Sequence, residues 1–596
     1  MFQTFETSAS PEAGPARLAA LRDVMAQAGL DGFLVPRADV HQGEYVAPCD
    51  ARLAWLTGFT GSAGQAVVLR DMAGVFIDSR YRVQVLGQVA DVFTPVPFPE
   101  VLTADWLREH LPDGGVLGFD PWLHAMGAVA RLERDLGGSG IALRAVDNLV
   151  DRIWEDRPAR PSALVHTQPE ALTGRSSADK RAGLGAELAG AGQTAAVLTL
   201  PDSIAWLLNI RGRDIARNPV AQGFAVLYAD ARVDLFMDAA KLSGVDLGSE
   251  VLVLPPEGFS ARLAALTGPV RIDPDHVPQA VAQILREADV VTVEARDPCI
   301  LPKAIKTEAE LAGARAAHQR DAVAMVEFLA WLDAQAPGSL TEVAVITALE
   351  GFRRAGNALR DISFETIAGT GAHGAIVHYR ATHASNARIE DGHLLLVDSG
   401  GQYADGTTDI TRTMAIGAVG DEERDSFTRV LRGMIGISLL CWPAGLAGRD
   451  MDAIARVPLW RAGLDYGHGT GHGVGSYLSV HEGPHGLSRR SAEPLQPGMI
   501  LSNEPGFYRD GAYGIRLENL IAVRQADLPD GATIKELLCF ETLSYVPFDR
   551  RLIVADMLDG SERDWLNAYH AECRSRVEPH VSPAAADWLR HATQPI

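Results

Sequence analysis

The sequence predicts a chain of α/β and α+β domains: two related α/β domains in the first half, then a third, α+β domain from residue 304 onward. Three observations carry that prediction. Arg52–Gly61 (RLAWLTGFTG) and Ser203–Gly212 (SIAWLLNIRG) echo one another, and each is followed by a paired-strand pattern ending in an aspartate, Asp78 or Asp238. Thr307 and Glu310 have the spacing of a capping box at the head of a long apolar-periodic segment. From Phe364 onward, short apolar runs alternate with glycine-rich turns, the pattern of strands rather than helices.

The first domain begins with helical spacing over residues 15–29 and a short strand, DGFLVP. The runs AVVLR and GVFIDSR, parted by Asp71–Gly74, read as a hairpin, with a helix from Tyr81 onward. The segment around Pro158 and Pro161 reads as a boundary. The expected domains are therefore residues 1–160, 161–303 and 304–596. In the third, Thr341 is the expected N-cap of a second amphipathic helix, TEVAVITALEGFRRAG.

Composition narrows the function classes. A chain of 596 residues with 47% hydrophobic content is an ordinary multidomain globular protein. A formal net charge of −22 argues against nucleic acid as a partner. The five cysteines (Cys49, Cys299, Cys441, Cys539 and Cys573) are scattered and lack metal-type spacing, so free thiols in a reducing compartment are expected. The N-terminus has no basic and apolar leader pattern, and no run of 18 apolar residues occurs, so the expected location is cytoplasmic, without a membrane partner. GSAG near residue 61 is not a phosphate loop, since no Gly-Lys-Ser/Thr follows it, and no Gly-x-Ser-x-Gly elbow occurs.

The chemistry concentrates between Asp398 and Glu518. Asp398 ends the apolar run HLLLVD, Asp409 lies in TTDITRT, Glu504 in MILSNEPGFY and Glu518 in YGIRLENLI. Hairpin pairing is expected to bring Asp398 and Asp409 together, and alternation along the last strand sends Arg516 and Glu518 to one face. His472 sits in GHGTGHGVG, where alternate glycines leave the backbone open to close approach. Burying an unpaired carboxylate costs several kcal/mol, so four carboxylates in strand-like segments need a common partner, and a pair of divalent ions is the simplest one. Hard oxygen ligands with a single imidazole suit Mn, Co, Fe or Zn.

With VDSGGQYADGTTDITRT, YGHGTGHGVGSYLSVHEGP and NEPGFYRDGAYGIRLEN, the chain resembles the pita-bread metallopeptidases, most of all the long, three-domain form of aminopeptidase P (Xaa-Pro aminopeptidase). EYVAPCDARLAWLTGFTGSAG, NIRGRDIARNPV, SFETIAGTGAHGAIVHYRAT and the C-terminal segment extend the likeness over nearly the whole chain. The resemblance implies two creatinase-like α/β domains before a pita-bread catalytic domain. It also implies hydrolysis of the bond between an N-terminal residue and a penultimate proline. Asp398 and Asp409 would hold one metal ion, and Asp409, His472 and Glu504 the other, with Asp409 and Glu518 bridging them. Mn2+ is the family expectation, with Co2+ or Zn2+ as alternatives. Glu504 would be the general base; His378 and His481 would bind the scissile carbonyl and its oxyanion, and His468 would flank the proline ring. Arg516 could tether an acid, and Arg80 could reach a neighbouring subunit's site within a homodimer. Prolidase is the alternative activity. A metal-free or purely binding relative is disfavoured, because all five ligand positions and the three histidines are present.

Overall fold

The computed structural model describes residues 1–7 and 9–596, which fall into two compact units. One comprises Ser8–Glu170 and Arg175–Ile300; the other comprises Met1–Thr7, Ala171–Gly174 and Leu301–Ile596.

The first unit contains two sheets of the same design. Helix α1 (Gly14–Gln27) precedes strands β1 (Gly32–Pro36), β2 (Gln65–Leu69), β3 (Ala73–Ile77), β4 (Thr94–Pro97), β5 (Gly115–Phe119) and β6 (Ile141–Ala145). They pair in the order β4-β3-β2-β1-β5-β6. The second sheet is built from β7 (Ala195–Leu198), β8 (Phe224–Tyr228), β9 (Val233–Phe236), β10 (Val251–Leu254), β11 (Val270–Ile272) and β12 (Thr292–Glu294), in the order β10-β9-β8-β7-β11-β12. Strand senses match as well: β1 is antiparallel to β2 and parallel to β5, just as β7 is antiparallel to β8 and parallel to β11. The two AWL segments form corresponding short helices, α2 (Arg52–Thr57) after β1 and α3 (Pro201–Leu207) after β7. Residues 157–165 carry no helix or strand, as the prolines there suggest.

The second unit opens with α4 (Glu308–Asp333), where the Thr307 side chain accepts from the Glu310 N–H and the Glu310 carboxylate takes the Thr307 N–H. Thr341 caps α5 (Glu342–Ala355) in the same way on one side. Met325, Phe328 and Leu329 of α4 and Ile346 and Leu349 of α5 share a buried core with Leu395 to Val397 of the sheet beneath them. Each such side chain contributes about 1.5–3 kcal/mol on burial.

That sheet is β14-β15-β18, made of Ile367–Thr370, Leu394–Ser399 and Ile410–Ala415; in a second set β16 (Gly401–Tyr403) lies between β13 (Leu359–Ile362) and β17 (Gly406–Thr407) and pairs with both. The remaining strands are β19 (Cys441–Pro443), β20 (Gly471–Gly473), β21 (Glu482–Leu487), β22 (Ile500–Asn503), β23 (Gly506–Arg509), β24 (Tyr513–Arg516), β25 (Asn519–Ala526) and β26 (Leu537–Thr542). Six of them form one sheet, β19-β26-β25-β22-β20-β21, while β23 and β24 pair with each other.

Two sequence expectations are refined here. Asp398 and Asp409 do not flank a simple hairpin: β16 and β17 intervene and join another sheet, while β15 pairs with β18 so that Asp398 faces Thr411. Nor does Glu518 lie inside a continuous strand. β24 stops at Arg516 and β25 starts at Asn519, because the chain crosses there from the two-stranded ribbon to the six-stranded sheet. Glu504 occupies the matching crossing between β22 and β23, and Asn503 pairs directly with Asn519. Both glutamates are therefore set side by side at the seam.

Candidate metal centre

Four candidate ligands are delivered by the end or the break of a strand, Asp398 late in β15, Asp409 just before β18, and Glu504 and Glu518 at the two crossings, while His472 stands at the centre of β20. Asp409, His472 and Glu518 present ligand atoms within 4.8 Å of one another. His472 Nε2 is 3.4 Å from Glu504 Oε1 and 3.5 Å from Asp409 Oδ2. The glycines around His472 are required by packing. A Cβ on Gly471 would lie 1.9 Å from the Ser502 carbonyl oxygen, and one on Gly473 would lie 2.2 Å from that of Glu482.

The residues fit a pair of cations. Asp398 Oδ1, Asp409 Oδ1 and Glu518 Oε1 are buried with no hydrogen-bond partner among the described residues, a costly state for carboxylates. His472 Nδ1 lies 2.9 Å from the Gly473 carbonyl and donates to it, which leaves the Nε2 lone pair aimed at the acids. The Ser502 hydroxyl accepts from the His472 N–H and donates to Glu504 Oε1 at 3.1 Å. Thr411 Oγ1 donates to Glu518 Oε2 at 2.8 Å. Burial pushes the Asp409 and Glu518 carboxyls well above the ordinary range, and the charges of neighbouring carboxylates push in the same direction. Burial also raises Glu504, with His472 and Arg516 opposing it. Such mutual repulsion is relieved by metal charge.

Arg516 is 2% exposed and organises one side of the cluster. Its Nη2 donates to Asp398 Oδ2 at 2.6 Å and to the Val377 carbonyl, next to His378, at 3.3 Å; Nη1 donates to the Tyr508 hydroxyl at 2.7 Å. That hydroxyl in turn donates to His468 Nε2 at 2.8 Å, and His468 Nδ1 bonds the Gly469 carbonyl. One polar chain thus runs from a predicted ligand to a predicted substrate histidine. His481 packs edge-on against His472, ring centroids 4.3 Å apart, and His378 sits half-buried on the turn after Gly371–Ala375. Of the predicted residues, Arg80 alone belongs to the first unit, where it makes a two-pronged pair with Asp78.

Tyr508, Thr411 and Ser502 join the site without being singled out by the sequence. Tyr508 has a usable signal: β23 and β24 put Tyr508 opposite Gly514 and Gly506 opposite Arg516, so a hydroxyl and a guanidinium share the ribbon's inner face. Lys303 and Lys306 are a further addition from the structure. Both ammoniums bind the fully buried carboxylate of Glu482, adjacent to His481.

Comparison with known proteins gives this geometry a lineage. The model of metallopeptidase family M24 matches residues 312–525, and the C-terminal region of peptidase M24 matches 536–596. Creatinase/prolidase N-terminal domain models match 17–153 and 156–310, one for each of the two similar sheets. A probable Xaa-Pro aminopeptidase P of Laccaria bicolor is 40% identical over 97% of this chain and 93% of its own length. The chain belongs to the Xaa-Pro aminopeptidase P family of M24 metallopeptidases. Aminopeptidase P2 of Arabidopsis thaliana is 38% identical over 95% of this chain and 86% of its own length. The crystal structure of X-prolyl aminopeptidase from Caenorhabditis elegans, described as a cytosolic enzyme with a di-nuclear active site, superposes with a TM-score of 0.92 at 32% identity, covering 98% of this chain and all of that one. A prolidase from Pyrococcus horikoshii shares the fold over 62% of this chain, with a TM-score of 0.51 and 22% identity. Among the described residues, no helix is long and apolar enough to cross a membrane.

Proposed function

We propose that this metallopeptidase releases the N-terminal residue from peptides whose second residue is proline, with two divalent ions held by Asp398, Asp409, His472, Glu504 and Glu518. The observation that carries the reading is the buried cluster in which Asp409, His472 and Glu518 present ligand atoms within 4.8 Å of one another, with one oxygen each of Asp398, Asp409 and Glu518 lacking a hydrogen-bond partner among the described residues. When bound, the ions supply Lewis-acid polarisation of the scissile carbonyl and an acidified water. Mn2+ is the expected occupant; Co2+ and Zn2+ are alternatives.

Glu504 holds the proton and hands it to the departing nitrogen. That hand-over is essential here, because the amide preceding proline carries no N–H. Three features equip Glu504 for it. Its side chain is 18% exposed, the Ser502 hydroxyl steers it, and burial raises its proton affinity. His378 and His481 donate to the carbonyl oxygen as negative charge develops, a role worth about 2.7–4 kcal/mol per donor in comparable sites. His468 walls the proline ring; Tyr466 and Tyr508 flank it with ring centroids 4.9 and 5.4 Å away, and both its nitrogens are already fixed. Arg516 acts through Asp398 and the backbone beside His378. Arg80 contributes to peptide binding across the interface of a homodimer. The protein acts in the cytoplasm, on peptides rather than nucleic acid or membranes.

The test is hydrolysis of Arg-Pro-Pro and Gly-Pro by Mn-loaded, dialysed protein, with and without chelator. Free arginine from the tripeptide, abolished by chelator and restored by Mn2+, is the expected result. Cleavage of the dipeptide alone would replace the reading with prolidase. Silence on both substrates, with metal bound, would refute a working site.

A further inference from the structure

Cys441 lies on β19, the edge strand of the six-stranded sheet, and pairs directly with Cys539 on β26. The ladder fixes the kind of pair. The Ala444 N–H bonds the Glu536 carbonyl in the same register, so hydrogen-bonded positions fall at Ala444 and Trp442, and Cys441 and Cys539 occupy a non-hydrogen-bonded position. At such positions Cα atoms approach to about 4.5 Å and the side chains lie closest. That separation falls within the window of about 4.4–6.8 Å that a disulfide spans.

The face is the right one for chemistry. Trp442 turns inward onto Phe540 in the core, so Cys441 and Pro443 turn out to solvent. Cys441 is exposed, whereas the other four cysteines, its strand partner Cys539 among them, are buried. Arg524 is directly opposite Cys539 on the next strand, β25, so a cation completes the row Cys441, Cys539, Arg524. Burial raises the Cys539 thiol, and the Arg524 charge only partly opposes that rise.

We propose that Cys441 and Cys539 are a reversible redox site, oxidised by low-molecular-weight disulfides to a cross-strand disulfide that staples β19 to the sheet. In the first step the Cys441 thiolate attacks one sulfur of the small disulfide, and a mixed disulfide forms as one small thiolate leaves. The Cys539 thiolate then attacks Cys441 Sγ and expels the second small thiolate. The two protons lost by the protein thiols end on the two released thiols. The protein is oxidised by two electrons and the small disulfide is reduced by two. The stapled edge belongs to the sheet that delivers His472, Glu504 and Glu518, because β26 pairs with β25 and β25 with β22. Oxidation therefore damps fraying of that edge while the catalytic groups stay untouched.

The experiment treats the metal-loaded full chain with oxidised glutathione, alkylates the remaining thiols and maps peptides without reduction. The expected result is an intramolecular Cys441–Cys539 crosslink that dithiothreitol reverses. A higher thermal midpoint and slower amide exchange in β19 and β26 should accompany it. Cys441→Ser and, separately, Cys539→Ser should abolish the crosslink and the midpoint shift; Cys441→Ser changes an exposed position and keeps the fold. Glutathione stalled on Cys441 with Cys539 still alkylatable would overturn the proposal. So would a crosslink formed only between chains, or no loss of thiols at either residue.

Discussion

Replacing Arg516 by lysine separates charge from geometry at the candidate metal centre. The guanidinium reaches Asp398 with Nη2 at 2.6 Å and Tyr508 with Nη1 at 2.7 Å, so two partners are held by two different nitrogens. A lysine keeps the cation beside Asp398, but its single ammonium cannot stand at both positions. At least one hydrogen bond to a charged group is lost, about 1.5–3 kcal/mol. If that loss falls on the transition state, it corresponds to a fall in kcat/KM of about 10- to 150-fold. Asp398 is a candidate ligand, and an ammonium that cannot reproduce the fixed guanidinium fork positions it less well, weakening metal affinity by about 10- to 100-fold. The assay is kcat/KM on Arg-Pro-Pro at saturating Mn2+, with a parallel metal titration and a thermal melt. Arg516→Met, which removes the counter-charge from a buried acid, should cost about 3–5 kcal/mol of stability in metal-free protein. Tyr508→Phe combined with Arg516→Lys should be non-additive, since both lose the same bond. Unchanged kcat/KM together with an unchanged metal midpoint in Arg516→Lys would refute the reasoning and reduce Arg516 to a plain structural ion pair.

Two further outcomes concern stability. Although burial opposes it, Lys303 and Lys306 hold the Glu482 carboxyl down at about 2. The two lysine side chains are 2% and 1% exposed, so Glu482→Gln leaves two buried ammoniums without an anion; urea unfolding should show a loss of about 3–5 kcal/mol, and an unshifted midpoint would contradict this. His570 is held down at about 3, against an ordinary 6.5, by burial first and then by Arg412 and Arg550, and its Nε2 accepts the Phe548 N–H. Because the folded pKa lies below the unfolded one, protons favour the unfolded chain: stability is full above pH 6.5 and falls as pH drops toward 3, at up to about 1.4 kcal/mol per pH unit for this group. His570→Gln should flatten the pH dependence of the unfolding midpoint between pH 6.5 and 4, with a residual slope from His485 and His124, which are also held down, at about 4. Identical slopes in the two proteins would rule out His570 as a source.

Much of this protein is local in origin, and so is legible in the sequence. The capping box at Thr307 and Glu310 is a contact over one helical turn, and the chain ends its linker there as the spacing demands. The AWL echo reports two sheets with the same strand order, because like sequences solve the same local packing problem. The four candidate carboxylate ligands can be named because carboxylates in apolar strand segments are costly unless a shared partner relieves them, a rule that needs no coordinates.

Tertiary structure alone decides how those ligands meet. Asp409 reaches the cluster through long-range pairing of β15 with β18, past two strands that belong to another sheet, and no local pattern encodes which sheet a short strand joins. Glu504 and Glu518 lie at crossings between sheets, where alternation along a single strand ceases to apply. Arg516, Tyr508 and His468 form one chain only because the β23–β24 ribbon folds over the His468 loop. Cys441 and Cys539, 98 residues apart in a sequence that gives no pairing cue, face each other because register is set by the whole six-stranded sheet. Residue types and spacing determine which chemistry is possible; the contacts between distant strands, each selected by burial of the whole sheet, determine where it happens.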